Sequence, residues 1–214
     1  MRYNVAFLLD KKNNWFEKYL RNYKFKLKSK YRFFISKNYK NIKNKEIVFI
    51  LSFMKILPVS FLKRNKLNLV VHSSNLPKDR GFAPLTYQVL RNQNKFYTSL
   101  IEADKKVDSG KIFFKNKFKL DGTELNNEIR FKQSEEILKI IKKFLIKYPK
   151  VKSYNQMGKA TYNKRRVPSD SELNIYKNIK SQFNLLRVND NEKYPSFFKY
   201  KGKKYILKIF KEKR

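Results

Sequence analysis

His72-Ser73-Ser74-Asn75-Leu76-Pro77-Lys78-Asp79-Arg80-Gly81-Phe82-Ala83-Pro84 is the stretch on which the reading of this chain turns. It follows an apolar run, Leu67-Asn68-Leu69-Val70-Val71, that predicts a buried strand. It precedes a helical pattern from Pro84 to Leu90, with proline at the helix start. The only histidine of the chain therefore sits where a strand gives way to a loop rich in Ser, Asn, Pro and Gly. In an open parallel α/β sheet, ligands bind outside the carboxyl ends of the strands. A lone histidine is more often a satisfied structural residue; this one stands where such folds do their chemistry.

The flanking sequence supports that kind of sheet. Tyr3 to Leu9 is a first apolar run ending at Asp10, and residues 11–20 place Trp15, Phe16, Tyr19 and Leu20 on one helical face. The turn between them has no glycine, so it is no Gly-rich phosphate loop. Residues 31–36 predict a second strand, and Ile47-Val48-Phe49-Ile50-Leu51 reads as a central parallel strand. A short helix over residues 58–64 then leads to the strand that delivers His72. Residues 95–103 and 111–120 predict two further strands. A long helix to about Lys147 follows, with Leu125, Ile129, Ile137, Ile140, Ile141, Phe144 and Leu145 as its stripe, and Tyr148-Pro149 stops it. Beyond it lies a polar, basic link over residues 162–170. A helix is expected from Ser169 or Asp170 to Arg187, then a β-hairpin turning at Gly202. The expected architecture is α/β, a mostly parallel sheet over residues 1–150 with a small α+β extension over 151–214.

Composition narrows the function classes. With no cysteine there are no disulfides or thiolate metal sites, and one histidine cannot build a His-based zinc site. No metal is expected. No apolar run approaches the roughly 18–20 residues of a membrane span, and Met1-Arg2-Tyr3-Asn4-Val5 does not read as a signal peptide. The expectation is a cytoplasmic protein without a membrane partner. A formal charge of +35 suggests a polyanion. Yet the cations are mostly Lys, spread along the whole chain beside abundant Asn, Ile, Phe and Tyr, which fits an AT-rich coding bias better than a dedicated nucleic-acid surface.

The pattern H-x-S-x-L-P-x-x-R-G-x-x-P, carried by His72, Ser74, Leu76, Pro77, Arg80, Gly81 and Pro84, resembles the folate-dependent formyltransferases. Val107-Asp108-Ser109-Gly110 is similar to that family's downstream Asp-x-Gly loop. Phe53-Met54-Lys55-Ile56-Leu57-Pro58 resembles the segment that shapes its folate pocket. These matches cover roughly residues 47–112. Weaker ones at Arg166-x-Pro168-x-Asp170, Asn184-Leu185-Leu186-Arg187 and Tyr194-Pro195 resemble the segment that joins the catalytic domain to the C-terminal region in methionyl-tRNA and sugar-amine formyltransferases. The resemblance implies a Rossmann-like fold, shortened before His72 by a trimmed βα unit. It also implies 10-formyltetrahydrofolate as the formyl donor, with Phe53, Met54, Ile56, Leu57 and Gly81 as its binding residues. The absence of a Gly-rich first turn argues against a glycinamide ribonucleotide acceptor.

Moving a formyl group onto an amine develops an oxyanion and releases a proton, so the minimum equipment is one imidazole and one carboxylate. By resemblance, His72 donates to the oxyanion, and Asp108 orients the imidazole and relays the amine proton. On its own, Asp-x-Gly is more often a capped turn. The sequence also departs from the family, which places an asparagine two residues before its histidine where this chain has Val70. Asn68 shares that face but lies about 7 Å further back along the strand, which leaves Asn75 as the candidate replacement donor. Arg80 reads more naturally as a brace to Asp79 or a carbonyl than as a ligand contact. The expected acceptor is the amine of a nucleotide-linked amino sugar, because the C-terminal region is short. The alternatives are a methionyl-tRNA formyltransferase-like enzyme and a non-catalytic nucleic-acid-binding derivative.

Overall fold

A computed structural model describes residues 2–212. In chain order the elements are β1 (Tyr3–Leu9), α1 (Glu17–Asn22), β2 (Tyr31–Ser36), β3 (Ile47–Leu51), α2 (Val59–Lys63), β4 (Leu67–His72), β5 (Arg80–Gly81) and α3 (Pro84–Leu90). They continue with β6 (Lys95–Glu102), β7 (Ile112–Lys119), α4 (Asn126–Lys147), β8 (Tyr162–Asn163), α5 (Ile179–Val188), β9 (Ser196–Tyr200) and β10 (Lys203–Leu207). The main sheet runs β2-β1-β3-β4-β6-β7. Its first four strands are parallel, and β6 and β7 add on antiparallel. The mostly parallel α/β architecture expected from the sequence is thus present.

Strand β3 is buried at every position because it lies mid-sheet with helices on both faces. On one face Val5, Phe7, Leu9, Phe49, Leu69 and Leu100 meet Ile137, Ile140, Ile141, Phe144 and Leu145 of α4. Ala6, Leu8, Val48 and Ile50 meet Phe61 of α2 on the other. The order β2-β1-β3 reverses the winding at β1. The carboxyl ends of β1, β3 and β4 therefore open on one edge of the sheet, the usual ligand crevice of this architecture.

Two helices differ from expectation. Helix α1 starts at Glu17 rather than near residue 11, because the Asp10 carboxylate takes the Lys12 and Asn13 amides and holds that segment in a turn. Helix α5 starts at Ile179, and only a 3₁₀ turn forms at Pro168–Ser171. Between them the Leu173 amide bonds the Phe197 carbonyl (2.7 Å) and Asn174 accepts from the Tyr176 amide (2.9 Å), so strand-like and turn contacts replace the helix. Asn178 then caps α5 through the Ser181 amide. The hairpin at Gly202 forms as expected.

Phe144 anchors the α4 face. It is fully buried, and its ring meets Phe49, Phe113 and Phe114 edge-on. Phe144→Ala should cost about 3–5 kcal/mol, read as a lowered denaturation midpoint with an unchanged slope. A loss below about 1 kcal/mol would mean that this face is not packed as described.

Candidate active site

His72, the last residue of β4, is buried. Its loop is clamped from four elements. Gln88 of α3 donates to the Ser73 carbonyl (2.9 Å), and Gln133 of α4 donates to the Ser73 hydroxyl (2.7 Å). Ser99 of β6 donates to the Ser74 carbonyl (2.7 Å), and Lys115 of β7 donates to the Leu76 carbonyl (2.7 Å). The imidazole is consequently held in one orientation. Its Nε2 lies 2.7 Å from the Asp79 carbonyl. A carbonyl only accepts, so Nε2 carries a proton and Nδ1 is the nitrogen left to face Asp108.

Nδ1 lies 3.4 Å from Oδ2 of Asp108, and that oxygen also accepts the Gly81 amide at 2.8 Å. Among the described residues no hydrogen bond uses Asp108 Oδ1, so one carboxylate oxygen is left for an incoming proton. The structure thus brings together His72, Asp108 and Gly81. The close approach that Gly81 permits is by the chain itself: at φ +92° a Cβ would sit 2.6 Å from the Asn163 carbonyl. Gly110 is equally constrained, since a Cβ there would lie 1.9 Å from the Glu102 carbonyl. Only glycine lets the Asp108 loop close.

Asn75 is exposed, and its Oδ1 accepts from Lys115 Nζ (2.7 Å). Burial pushes the Lys115 ammonium below its ordinary value. Asn68 is tied away from the histidine, donating to the Leu62 carbonyl (2.9 Å). Val70 packs half-buried between two apolar clusters. Arg80 braces the loop as expected, on a side-chain carbonyl rather than on Asp79. Its guanidinium donates to Gln156 Oε1 (2.7 Å) and to the Tyr162 hydroxyl (3.1 Å), whereas Asp79 pairs with Arg91 (2.7 Å).

The segment over residues 53–57 lies across the crevice. Phe53 and Leu57 are half-buried on the same apolar cluster as Val70 and Ala103, and Ile56 is 79% exposed. Ala103 of the 102–108 loop thus packs on the same cluster as Phe53 and Leu57, while Ile56 and Val107 are exposed. The segment is anchored by Asp10, which sequence reading took only as a strand end: its Oδ2 accepts the Met54 amide (3.1 Å). Burial alone would raise the Asp10 carboxyl, but the Asn13, Lys12 and Met54 amides and nearby Lys55 outweigh it and hold it below its ordinary value of 3.8. The strap over residues 154–163 was also missed. The Asp79 and Arg80 amides donate to the Thr161 hydroxyl and carbonyl, and Gln156 Nε2 donates to the Asp108 and Gly110 carbonyls. These are polar, long-range contacts that leave no periodic signal in sequence.

An imidazole and a carboxylate on the carboxyl edge of such a sheet make an acid–base site suited to acyl-type transfer. A formyl transferase profile matches residues 4–143, and the chain belongs to the formyl transferase family, enzymes that transfer one-carbon formyl groups with 10-formyltetrahydrofolate as donor. A methionyl-tRNA formyltransferase of Sulfurihydrogenibium sp. is 26% identical over 149 residues, covering 68% of this chain and 48% of that protein. A solved structure titled methionyl-tRNA formyltransferase from Clostridium thermocellum superposes with a TM-score of 0.83 at 26% identity, covering 100% of this chain and 94% of that one. A 4-N formyltransferase from Francisella tularensis shares the fold (TM-score 0.73, 14% identity, 99% of each chain). The chain spans about half the length of the curated relatives it matches.

Asp10 provides a test of the 53–57 segment. A carboxyl whose folded value lies below its unfolded one stabilises the fold above the unfolded value and loses that contribution as pH falls through the folded one. Asp10→Asn should therefore flatten the stability profile below about pH 4 and loosen the 53–57 segment. A folate analogue should raise the melting temperature of the native chain, and less so that of the variant. Equal shifts in the two proteins would show that Asp10 does not hold the folate segment.

Proposed function

We propose that this chain is an N-formyltransferase that takes its formyl group from 10-formyltetrahydrofolate and delivers it to the amine of a nucleotide-linked amino sugar. The observation that carries the transfer chemistry is the pairing, at 3.4 Å, of buried His72 with half-buried Asp108 on the carboxyl edge of β4. In this reading residues 1–150 hold the chemistry, and residues 151–214 form a small extension that begins by covering the site.

Bound folate supplies an activated formyl carbon. The chain does the rest. Phe53, Met54, Ile56 and Leu57 seat the pterin, with Gly81 shaping the loop beside it. His72 donates through Nδ1 to the oxygen on which negative charge develops. Asp108, with Oδ2 committed to the Gly81 amide, receives the proton of the attacking amine on Oδ1, directly or through water, and returns it to the folate nitrogen as that nitrogen's bond to the formyl carbon breaks. Asn75, steadied through its Oδ1 by Lys115, offers Nδ2 as the donor that Val70 cannot.

What supports the sugar acceptor is the short C-terminal region together with the fold shared with a solved 4-N formyltransferase. A second reading, methionyl-tRNA as acceptor, is supported by the higher identity to enzymes of that title and by the charge of +35. Incubation with 10-formyltetrahydrofolate and either nucleotide-linked amino sugars or methionyl-tRNA separates them by which one gains a formyl group. Product on the tRNA alone would reject the sugar.

His72→Ala and Asp108→Ala should each lower kcat by about 10²-fold or more, and the double variant should lose little further because the two act as a unit. Full activity in either single variant would remove the mechanism. Asn75→Ala should cost about 10²-fold, with partial recovery on adding Val70→Asn. An unimpaired Asn75→Ala enzyme would return that residue to an ordinary turn role.

A further inference from the structure

Gln156 lies outside every motif, yet it closes a ring around the carboxylate. An antiparallel bridge pairs Tyr154 with Ile112, amide to carbonyl in both directions (2.8 and 2.9 Å). Continuing that register by two residues brings Gln156 opposite Gly110. There its Nε2 donates to the Gly110 carbonyl (2.9 Å) and the Asp108 carbonyl (2.8 Å). Its Oε1 accepts from Arg80 (2.7 Å). The amide orientation is unambiguous, because two carbonyls can only accept and a guanidinium can only donate.

Asp108 is thus held at both ends by the same dipeptide. Its carboxylate takes the Gly81 amide directly, and its backbone carbonyl is joined to Arg80 through Gln156. The hold matters because Asp108 has φ 50°, the left-handed region that a non-glycine residue adopts only when its surroundings impose it. A small rotation of that peptide would swing Oδ2 away from a ring nitrogen already at 3.4 Å.

We propose that Gln156 is a positioning residue for the formyl transfer assigned above, and the inference rests on that reading. Its side-chain amide sets the Asp108 peptide, and through it the distance from the carboxylate to His72. A residue that merely closed a loop would affect stability and leave the pair unchanged. The two roles differ at His72, which as the only histidine gives a single set of imidazole signals.

The test uses the full chain with Gln156→Ala, the isosteric Gln156→Glu, and Asp108→Asn. Glutamate keeps the size and the Arg80 partner but turns a carboxylate oxygen toward the Asp108 and Gly110 carbonyls, so it should fold and still displace the loop. In both Gln156 variants the His72 ring ¹H and ¹⁵N signals should move in the direction seen for Asp108→Asn. The kcat for formyl transfer should fall about tenfold, with KM for the folate donor within about twofold. Adding Gln156→Ala to Asp108→Asn should cost almost nothing more. Unmoved His72 signals, or losses that multiply in the double variant, would overturn the proposal. If Gln156→Ala does not fold, Gln156→Glu decides. If the native chain transfers no formyl group, the functional reading fails, while the His72 signals still decide whether Gln156 sets the pair.

Discussion

One carboxylate oxygen, Asp108 Oδ2, accepts the Gly81 amide and faces the His72 ring, and most of the irregular structure exists to make that possible. The imidazole arrives on a parallel strand, the amide on the short β5–β8 ladder, and the carboxylate on the loop joining two antiparallel strands. These have separate folding origins, so each must be fixed on its own. Gly110 lets the 102–110 loop close against its own strand, and the strap through Thr161 and Asn163 holds the Asp79–Phe82 backbone against β8. The regular sheet brings His72 within range. The final ångströms come from hydrogen bonds between loops, most of them only part-buried.

Charge plays a different part from the one its size suggests. Fifty-two basic residues face only 17 acidic ones, and the acids are spent mainly on architecture. Asp10 holds the 53–57 segment, Glu124 sits buried against Arg187 and Lys132, and Asp190 joins Arg130 while capping its own turn. Exposed ion pairs contribute at most about 1 kcal/mol, so the surplus lysines neither build nor break this fold. They create a positive field around the crevice, with Lys55, Lys78, Lys105, Lys106 and Lys159 all exposed on its rim loops. Such a field speeds capture of anions, which includes the glutamyl tail of a folate as well as a phosphorylated acceptor. Net charge therefore does not discriminate between the acceptors.

What could be read in the sequence follows from the kind of signal each part leaves. Apolar runs at Ile47–Leu51 and before His72 had no reading other than buried strands, and the α4 stripe defined both the helix and its buried face. His72 and Asp108 were legible because their spacing resembles a family motif. Helix α1 was misplaced because Asp10 uses its side chain on backbone amides, a local competition that hydrophobic periodicity cannot register. The strap was invisible for a related reason. Gln156 and Thr161 act on residues dozens of positions away through polar groups, and nothing in residues 154–163 alone distinguishes them from a solvated linker.

The same logic explains how a valine can stand where the family has an amide donor. The face of β4 that carries Val70 and His72 is covered by Leu76 of the catalytic loop, with Ile101 and Ile112 beside it on β6 and β7. An amide at residue 70 would have to find a partner within that apolar layer or incur the cost of an unpaired buried polar group. The one strand asparagine on this face, Asn68, already shows the difficulty: its Nδ2 is taken by the Leu62 carbonyl, and its buried Oδ1 has no partner among the described residues. The loop donor proposed above would avoid that conflict, because Asn75 is exposed and Lys115 satisfies its oxygen. The exchange has a consequence for rigidity. A strand donor is fixed by the sheet, whereas a loop donor is fixed only as well as Lys115 holds it, and burial already works against the charge on that lysine. If Asn75 is the donor proposed above, transition-state stabilisation would rest on a cation two strands away from His72.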